Sequence, residues 1–319
     1  MSAEGGTKAV VAALLANLGI ALTKFLAFAL TGSSSMLAEA IHSVADSGNQ
    51  VLLLVGGKRS TREATEKHPF GYGRERYIYA FIVSVVLFSV GGLFALYEGV
   101  HKVVHPEAIH SWQWVPLTVL VVAIGLESFS FRTAIREANH VRGGARWTAF
   151  IRHARAPELP VVLLEDFAAL IGLVLALFGV SLTLITGDGV WDGIGTLGIG
   201  ALLVCVAVVL AVETKSLLLG EGATEDQVEA IATAIGAIDA VDRLIHLRTM
   251  HLGPEELLVA AKVAVPEAVS AREVASAIDA AEAAIRSAVP IARVIYIEPD
   301  IYLRRDVAAD PDTAADQAV

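Results

Sequence analysis

The chain has a single cysteine in 319 residues, Cys205, and it lies inside an apolar run. An internal disulfide framework and a cysteine-built metal cluster are both excluded. Charge is scarce as well: 18% of the residues are Asp, Glu, Lys or Arg, against roughly 25% in an ordinary soluble domain. There is no basic excess, since 34 acidic residues outnumber 24 basic ones, and nucleic-acid binding, which uses a clustered basic face, is disfavoured. What is abundant is apolar side chains, 55% of the chain. The charge is also unevenly placed. Through Lys215 there are 16 acids and 16 bases, and after it 18 acids and 8 bases, so the whole net charge of -10 belongs to the C-terminal part. Two environments share one chain, and the first is a membrane.

A bilayer core about 30 Å thick takes roughly 20 apolar residues in helix. Six such stretches run near Ala9 to Leu30, Ser35 to Gly56, Tyr77 to Tyr97, Trp114 to Phe131, Leu159 to Ile185 and Ile194 to Val212. The first imitates a secretory leader, with Lys8 before it and Ala27-Phe28-Ala29 near its end. Its length and the five further stretches read instead as an uncleaved helix. Bases collect in two loops, Lys58 to Arg76 and Arg132 to Arg155, while the alternate loops hold only Lys102. Because Lys and Arg in short loops resist translocation, both termini are expected in the cytoplasm.

After Lys215 the pattern becomes that of a small α/β unit. Thr224 to Ile235 reads as a helix capped by Thr224, and Ser270 to Ala288 as a second, with Ser270 as cap and Glu273 closing a capping box. Val241 to Met250, Leu257 to Val265 and Ile291 to Ile297 read as strands. The order is α-β-β-α-β, a small sheet with two helices on one face. The stretch after Arg305, acidic, Ala-rich and aperiodic, is expected to be disordered. The domain reading is therefore a six-span region over residues 1–215, a soluble domain over 216–305 and a tail over 306–319.

An ionisable side chain at bilayer depth costs about 3 kcal/mol even on the lenient insertion scale, so each asks for a reason. The second stretch carries Glu39, His42, Asp46 and Asn49 at helical spacing, a polar seam in an apolar helix. An imidazole and a carboxylate four residues apart can reach one divalent ion, at about 2.0 to 2.2 Å for zinc. The alternative is an internal hydrogen bond or a polar helix contact. The fifth stretch adds Glu165 and Asp166. Helical neighbours point about 100° apart, so only one is expected to face the second helix. Asp166 is chosen, with Glu165 facing a water-filled passage or serving as an outer or alternative ligand. Asn17 and Lys24 share a face of the first stretch, and Lys24 is expected to snorkel toward the outer interface, the alternative being that it neutralises an empty carboxylate site. Glu127 and Arg132, near one end of the fourth, are expected to pair, and Cys205 to be a buried apolar residue.

The stretch SSSMLAEAIHSVADSGNQVLLLVGGKRS, followed by HPFGYGRERYIYAF, WDGIGTLGIG, LLLGEG and the α-β-β-α-β tail, resembles the cation diffusion facilitators, the zinc transporter family. The resemblance covers nearly the whole chain. It implies an α-helical membrane protein with six transmembrane helices and a C-terminal ferredoxin-like α+β cytoplasmic domain. It further implies a homodimer that exports zinc in exchange for protons. The transport site it implies falls on His42, Asp46 and Asp166. Most members carry a histidine where this chain has Val162, which leaves three matched ligands and Glu165 as an available fourth. An oxygen-richer site would also accept manganese, iron or cobalt. Tyr72 stands where the loop of the family often has histidine, leaving His68. Lys262 and Ile297 fall at positions where strands of the family bear histidines, so the soluble domain is expected to dimerise without metal, His246 and His251 being the alternative.

Metal loading needs ionised carboxylates and neutral imidazole, so metal and protons compete for one site. No HExxH or GxSxG motif is present, and the chain is read as a transporter, not an enzyme. No prosthetic group and no nucleic-acid partner are expected. The partners are a divalent cation, protons, membrane lipid and a second copy, in a bacterial cytoplasmic membrane. A membrane metal sensor that binds without transporting is the alternative function.

Overall fold

The computed structural model describes residues 11, 14–15, 17–26, 29, 34–106 and 114–301, and the side chains at 34–39, 41 and 42 lie outside that set. Residues 306–319, expected to be a disordered tail, also lie outside it. The chain forms two compact units that divide between Glu221 and Gly222, with Leu252–Pro254 grouped with the first.

The first unit is helical. It begins with α1 (Asn17–Leu26) and α2 (Ser34–Ser60). A 30-residue helix, Glu75–Val104, follows, made of α3 (Glu75–Val86), a π-helical stretch (Leu87–Leu93) and α4 (Phe94–Val104). Then come α5 (Trp114–Arg142), the short α6 (Trp147–His153), α7 (Glu158–Thr186) and α8 (Val190–Leu219). Among the described residues four helices are long and apolar enough to cross a membrane: Glu75–Val104, α5, α7 and α8. The shortest of them, at 29 residues, is about 44 Å long at 1.5 Å per residue, well beyond the ~30 Å hydrocarbon core. The helix α2 misses that standard because its polar residues dilute the apolar ones.

Two features differ from the sequence expectation. The α5 helix continues past Phe131 into the polar segment Arg132 to Arg142, and α6 occupies what reads as loop. Lipid limits the apolar part of a helix but not its hydrogen-bonding ladder, which runs on into water until a breaker such as Gly143 intervenes. The π-helical stretch is equally invisible to hydrophobic periodicity.

Apolar packing ties the bundle together. Leu53, Ala80, Val83, Ala134, Val162, Leu203 and Leu210 share one cluster, so α2, α3, α5, α7 and α8 meet in it. A second cluster joins Ile20 of α1 to Leu120 and Ala123 of α5 and Leu173 of α7. Where α4 crosses α8, backbones touch: a Cβ on Gly99 would lie 2.8 Å from the Leu197 nitrogen, and one on Gly200 2.7 Å from that of Leu96. Since lipid supplies little hydrophobic drive between helices, this close approach is where packing enthalpy is gained. Gly200→Ala is expected to cost about 1–3 kcal/mol by overpacking. Gly125→Ala, with no atom within 4 Å of the new methyl, serves as the control and should be neutral or mildly stabilising. Thermal unfolding in detergent distinguishes them.

The second unit follows the predicted order: α9 (Glu225–Gly236), β1 (Arg243–Gly253), β2 (Glu256–Ala264), α10 (Ala271–Ala288) and β3 (Ala292–Asp300). The sheet order is β1-β2-β3, with β2 parallel to β3. Leu257, Val259, Ala261 and Val263 alternate inward on β2 and meet Ile231, Ile235 and Ile285 from the helices. Thr224 and Ser270 each build a capping box, with Gln227 and Glu273 as partners. Ser270→Ala should loosen the first turn of α10 by about 1 kcal/mol. Hydrogen bonds from Ser270 hold the Glu273 carboxyl below its ordinary pKa. A depressed folded-state pKa means stabilisation that is present above the unfolded value and lost as pH falls through the folded one. Hydrogen exchange at the start of α10, corrected for intrinsic rates, should therefore accelerate in acid, and Ser270→Ala should flatten that response.

Candidate functional site

The α2 helix is inverted relative to a soluble amphipathic helix. Ser43, Asp46, Ser47, Asn49 and Gln50 are buried, while Val44 and Val51 are exposed. That polarity suits a helix whose outer face meets lipid and whose inner face meets other polar groups. Hydrogen-bond partners come from α1 and α7, and α5 joins through α7. The adjacent acids of α7 are both buried, Glu165 at 3% and Asp166 at 1% exposure. Asn49 Nδ2 donates to Glu165 Oε1 and Gln50 Nε2 to Glu165 Oε2, each at 2.8 Å. Asn17 of α1 donates to Gln50 Oε1 at 3.2 Å, extending the network across α1, α2 and α7. Ser130 of α5 donates to Asp166 Oδ2 at 2.7 Å.

The structure corrects four expectations. Glu165 faces α2, not a water-filled passage, because two amides on α2 satisfy both its oxygens. Lys24 does not snorkel: it is 3% exposed and its ammonium donates to Ser43 Oγ at 3.0 Å. The buried Glu127 carboxylate lies within electrostatic reach and offers a counter-charge. Glu127 does not pair with Arg132, since five residues of helix turn through about 140° and point the two apart. Instead Glu127 is 4% exposed, and the charges within its reach include those of Asp166, Asp46, Lys24 and Glu165. Cys205, expected to be buried, is exposed on the outer surface of α8.

Asp46, Glu127, Glu165 and Asp166 thus form a group of buried acids drawn from α2, α5 and α7, with Glu165 also within electrostatic reach of the other three. His42 lies one turn before Asp46 on α2, and its side chain is outside the described residues. Among the described residues, no three His, Cys, Asp or Glu side chains converge closely enough to hold a metal ion. Val162, one turn before Asp166, is fully buried in the apolar cluster. Ser130 is not singled out by the sequence, and Glu127 is there assigned to Arg132 and not to this group. The signal was present in the buried stripe Leu120, Ala123, Glu127, Ser130, Ala134 and Ala138, spaced three and four apart on α5.

Comparison with known proteins gives the frame for this site. Residues 10–219 match the cation efflux transmembrane domain and residues 223–300 the cation efflux protein cytoplasmic domain. The chain belongs to the cation efflux family, the cation diffusion facilitators. It is 32% identical over 265 residues to the mitochondrial proton-coupled zinc antiporter SLC30A9 of Xenopus laevis, covering 82% of this chain and 47% of that protein. The human counterpart is likewise 32% identical, over 82% of this chain and 46% of its own length. The cation-efflux pump FieF of Pectobacterium carotovorum subsp. carotovorum (strain PC1) is 26% identical over 79% of each chain. The chain spans about half the length of the SLC30A9 relatives it matches.

Two further positions, Tyr72 and Lys262, have defined surroundings. In the loop after α2, the rings of His68 and Tyr72 lie 4.8 Å apart, and the Arg62 guanidinium sits 4.7 Å from the Tyr72 ring centre. Tyr72 is therefore engaged in holding the loop. In the soluble unit the Lys262 ammonium reaches Glu298 and Asp300, each at 3.0 Å, which raises its pKa further. A fixed cation already occupies that strand position.

Proposed function

We propose that the chain is a divalent-cation to proton antiporter, with zinc the first candidate, that exports metal from the cytoplasm by alternating access. The observation that carries this reading is the burial of Asp46 and Asp166 on different helices of a lipid-embedded family domain. The relatives named as a proton-coupled zinc antiporter and as a cation-efflux pump support it. His42, Asp46 and Asp166 are the proposed ligands. Glu165, held by Asn49 and Gln50, orients α2 against α7 and is the available fourth. A dication requires ionised acids and neutral imidazole, so its arrival releases protons and its departure lets them return. Competition becomes exchange when helices of the bundle rock and open the site to alternate sides.

In this reading α1 and α2 join the four apolar helices as six spans, with both termini in the cytoplasm of a bacterial cell. Residues 1–215 form the transport domain and 216–305 a ferredoxin-like unit that pairs two copies as a homodimer. Val162 in place of a nitrogen ligand favours a second reading, in which manganese, iron or cobalt is the preferred cargo. Purified protein in proteoliposomes with an imposed pH gradient, scanned against zinc, manganese, iron, cobalt and cadmium, separates the cargoes. Saturable binding in detergent with no flux in sealed vesicles would make the protein a sensor and overturn the antiporter.

A further inference from the structure

Two glutamates in this bundle are equally buried and differently treated. Glu165 has both oxygens satisfied by amides. Glu127 keeps Oε2 buried with no hydrogen-bond partner among the described residues. A carboxyl with a bare oxygen away from water is costly, and a structural role would be expected to saturate it as Glu165 is saturated. Glu127 sits one turn before Ser130, whose hydroxyl reaches Asp166, so it shares the face α5 turns toward α7.

The polar column also has two unlike ends. Asn17, Asn49, Gln50 and Glu165 close one end in a continuous hydrogen-bonded chain that satisfies both carboxylate oxygens and leaves the neutral Asn49 amide oxygen buried without a partner among the described residues. On α1, Lys24 lies two turns beyond Asn17, and its partner Ser43 lies two turns before Gln50 on the returning α2. Lys24 and Glu127 therefore belong to the opposite end, each within electrostatic reach of the other. That end combines an unsatisfied acceptor with a tethered cation, which is the composition of a cation site filled by an internal substitute.

We propose that Glu127 is a further cation-contacting carboxylate of the transport site, contributed by α5, and that Lys24 is its counter-charge while the divalent ion is absent. The inference rests on the antiporter reading and deepens it: the carboxylates of Asp46, Glu127 and Asp166, which do not converge on one point in the bundle as it stands, are drawn together by the dication, with an oxygen donor from a third helix where Val162 supplies none. Binding of a dication displaces the Lys24 ammonium from the field of Glu127 by like-charge repulsion, at the cost of its hydrogen bond to Ser43 and with no covalent bond made or broken in the protein.

The test is calorimetric titration of the purified, detergent-solubilised full chain with zinc chloride and manganese chloride. Glu127→Gln should weaken zinc binding by about 10- to 100-fold, and manganese binding at least as much. Glu127→Asp, which keeps the charge, should recover part of the loss. Lys24→Gln, which removes the competing cation, should tighten zinc by about several-fold. Zinc affinity in Glu127→Gln equal to that of the unaltered chain, alongside lost binding in Asp166→Asn, overturns the Glu127 assignment and leaves the transport site standing. Unaltered binding in Asp166→Asn itself removes the site reading. Should Glu127→Gln fail to fold, Lys24→Gln decides: unchanged or weaker zinc binding overturns the proposal.

Discussion

Asp46→Ala and Asp166→Ala each abolish zinc-driven proton movement in proteoliposomes carrying an imposed pH gradient. The expected loss is at least about 100-fold, since each variant deletes an anionic ligand where removal of merely supporting groups already costs about 10- to 100-fold. Both side chains are buried, at 5% and 1% exposure, so neither is a solvated acid whose loss the bundle would ignore. Folding should survive. Asp166→Ala leaves Ser130 without its acceptor, but a serine hydroxyl in a helix can turn back to its own backbone carbonyl, as Ser47 does to Ser43 at 2.9 Å. Asp46→Asn and Asp166→Asn separate charge from shape: they keep the volume and should transport no better than the alanine variants. Unaltered proton movement in both alanine variants would remove the assignment. In the unaltered chain, lowering pH should weaken apparent zinc affinity, because protons and the dication need the same oxygens.

Glu165→Ala should act on stability as strongly as on transport. Glu165 accepts from Asn49 and Gln50 of α2, and Gln50 in turn accepts from Asn17 of α1. Interhelical hydrogen bonds in bilayers average only about 0.6 kcal/mol each, so the two bonds alone would contribute little more than 1. The larger effect is that two amide donors are left buried with no acceptor, at about 1–3 kcal/mol apiece. A net loss of about 2–4 kcal/mol follows, read as a lower thermal midpoint in detergent, together with lost transport as α2 loses its register against α7. Glu165→Gln should fall between, because one amide oxygen accepts where two carboxylate oxygens did and its amino group meets a donor. A Glu165→Ala protein as stable as the unaltered chain would show that the amides find other acceptors and that Glu165 is no clamp.

Much of the fold was legible because the relevant signals are local or periodic. Thr224 and Ser270 announce the two soluble helices, and alternation along Leu257, Val259, Ala261 and Val263 announces a strand with one buried face. The α6 helix and the π-helical stretch were not legible, since neither is set by hydrophobic period. The site divides the same way. Asp46 and Asp166 stand out in apolar runs because charge at bilayer depth is expensive. Lys24 and Glu127 were misread because each lies near the end of its stretch, where snorkelling or a loop partner costs least. Only the packing of α1 and α5 against α2 and α7 shows that both are enclosed. The facing of Glu165 depended on helix rotation about its axis, which two adjacent acids in sequence leave open.

The central claim is that acids from separate helices meet around one dication inside the membrane domain. Anomalous diffraction at the zinc edge from crystals of the full chain grown with zinc tests it most directly. A single intramembrane peak is expected with Asp46 and Asp166 oxygens at about 2.0 to 2.2 Å and the His42 imidazole beside them. Zinc bound elsewhere in the helical unit, with Asp46 and Asp166 unliganded at saturating metal, would contradict the account.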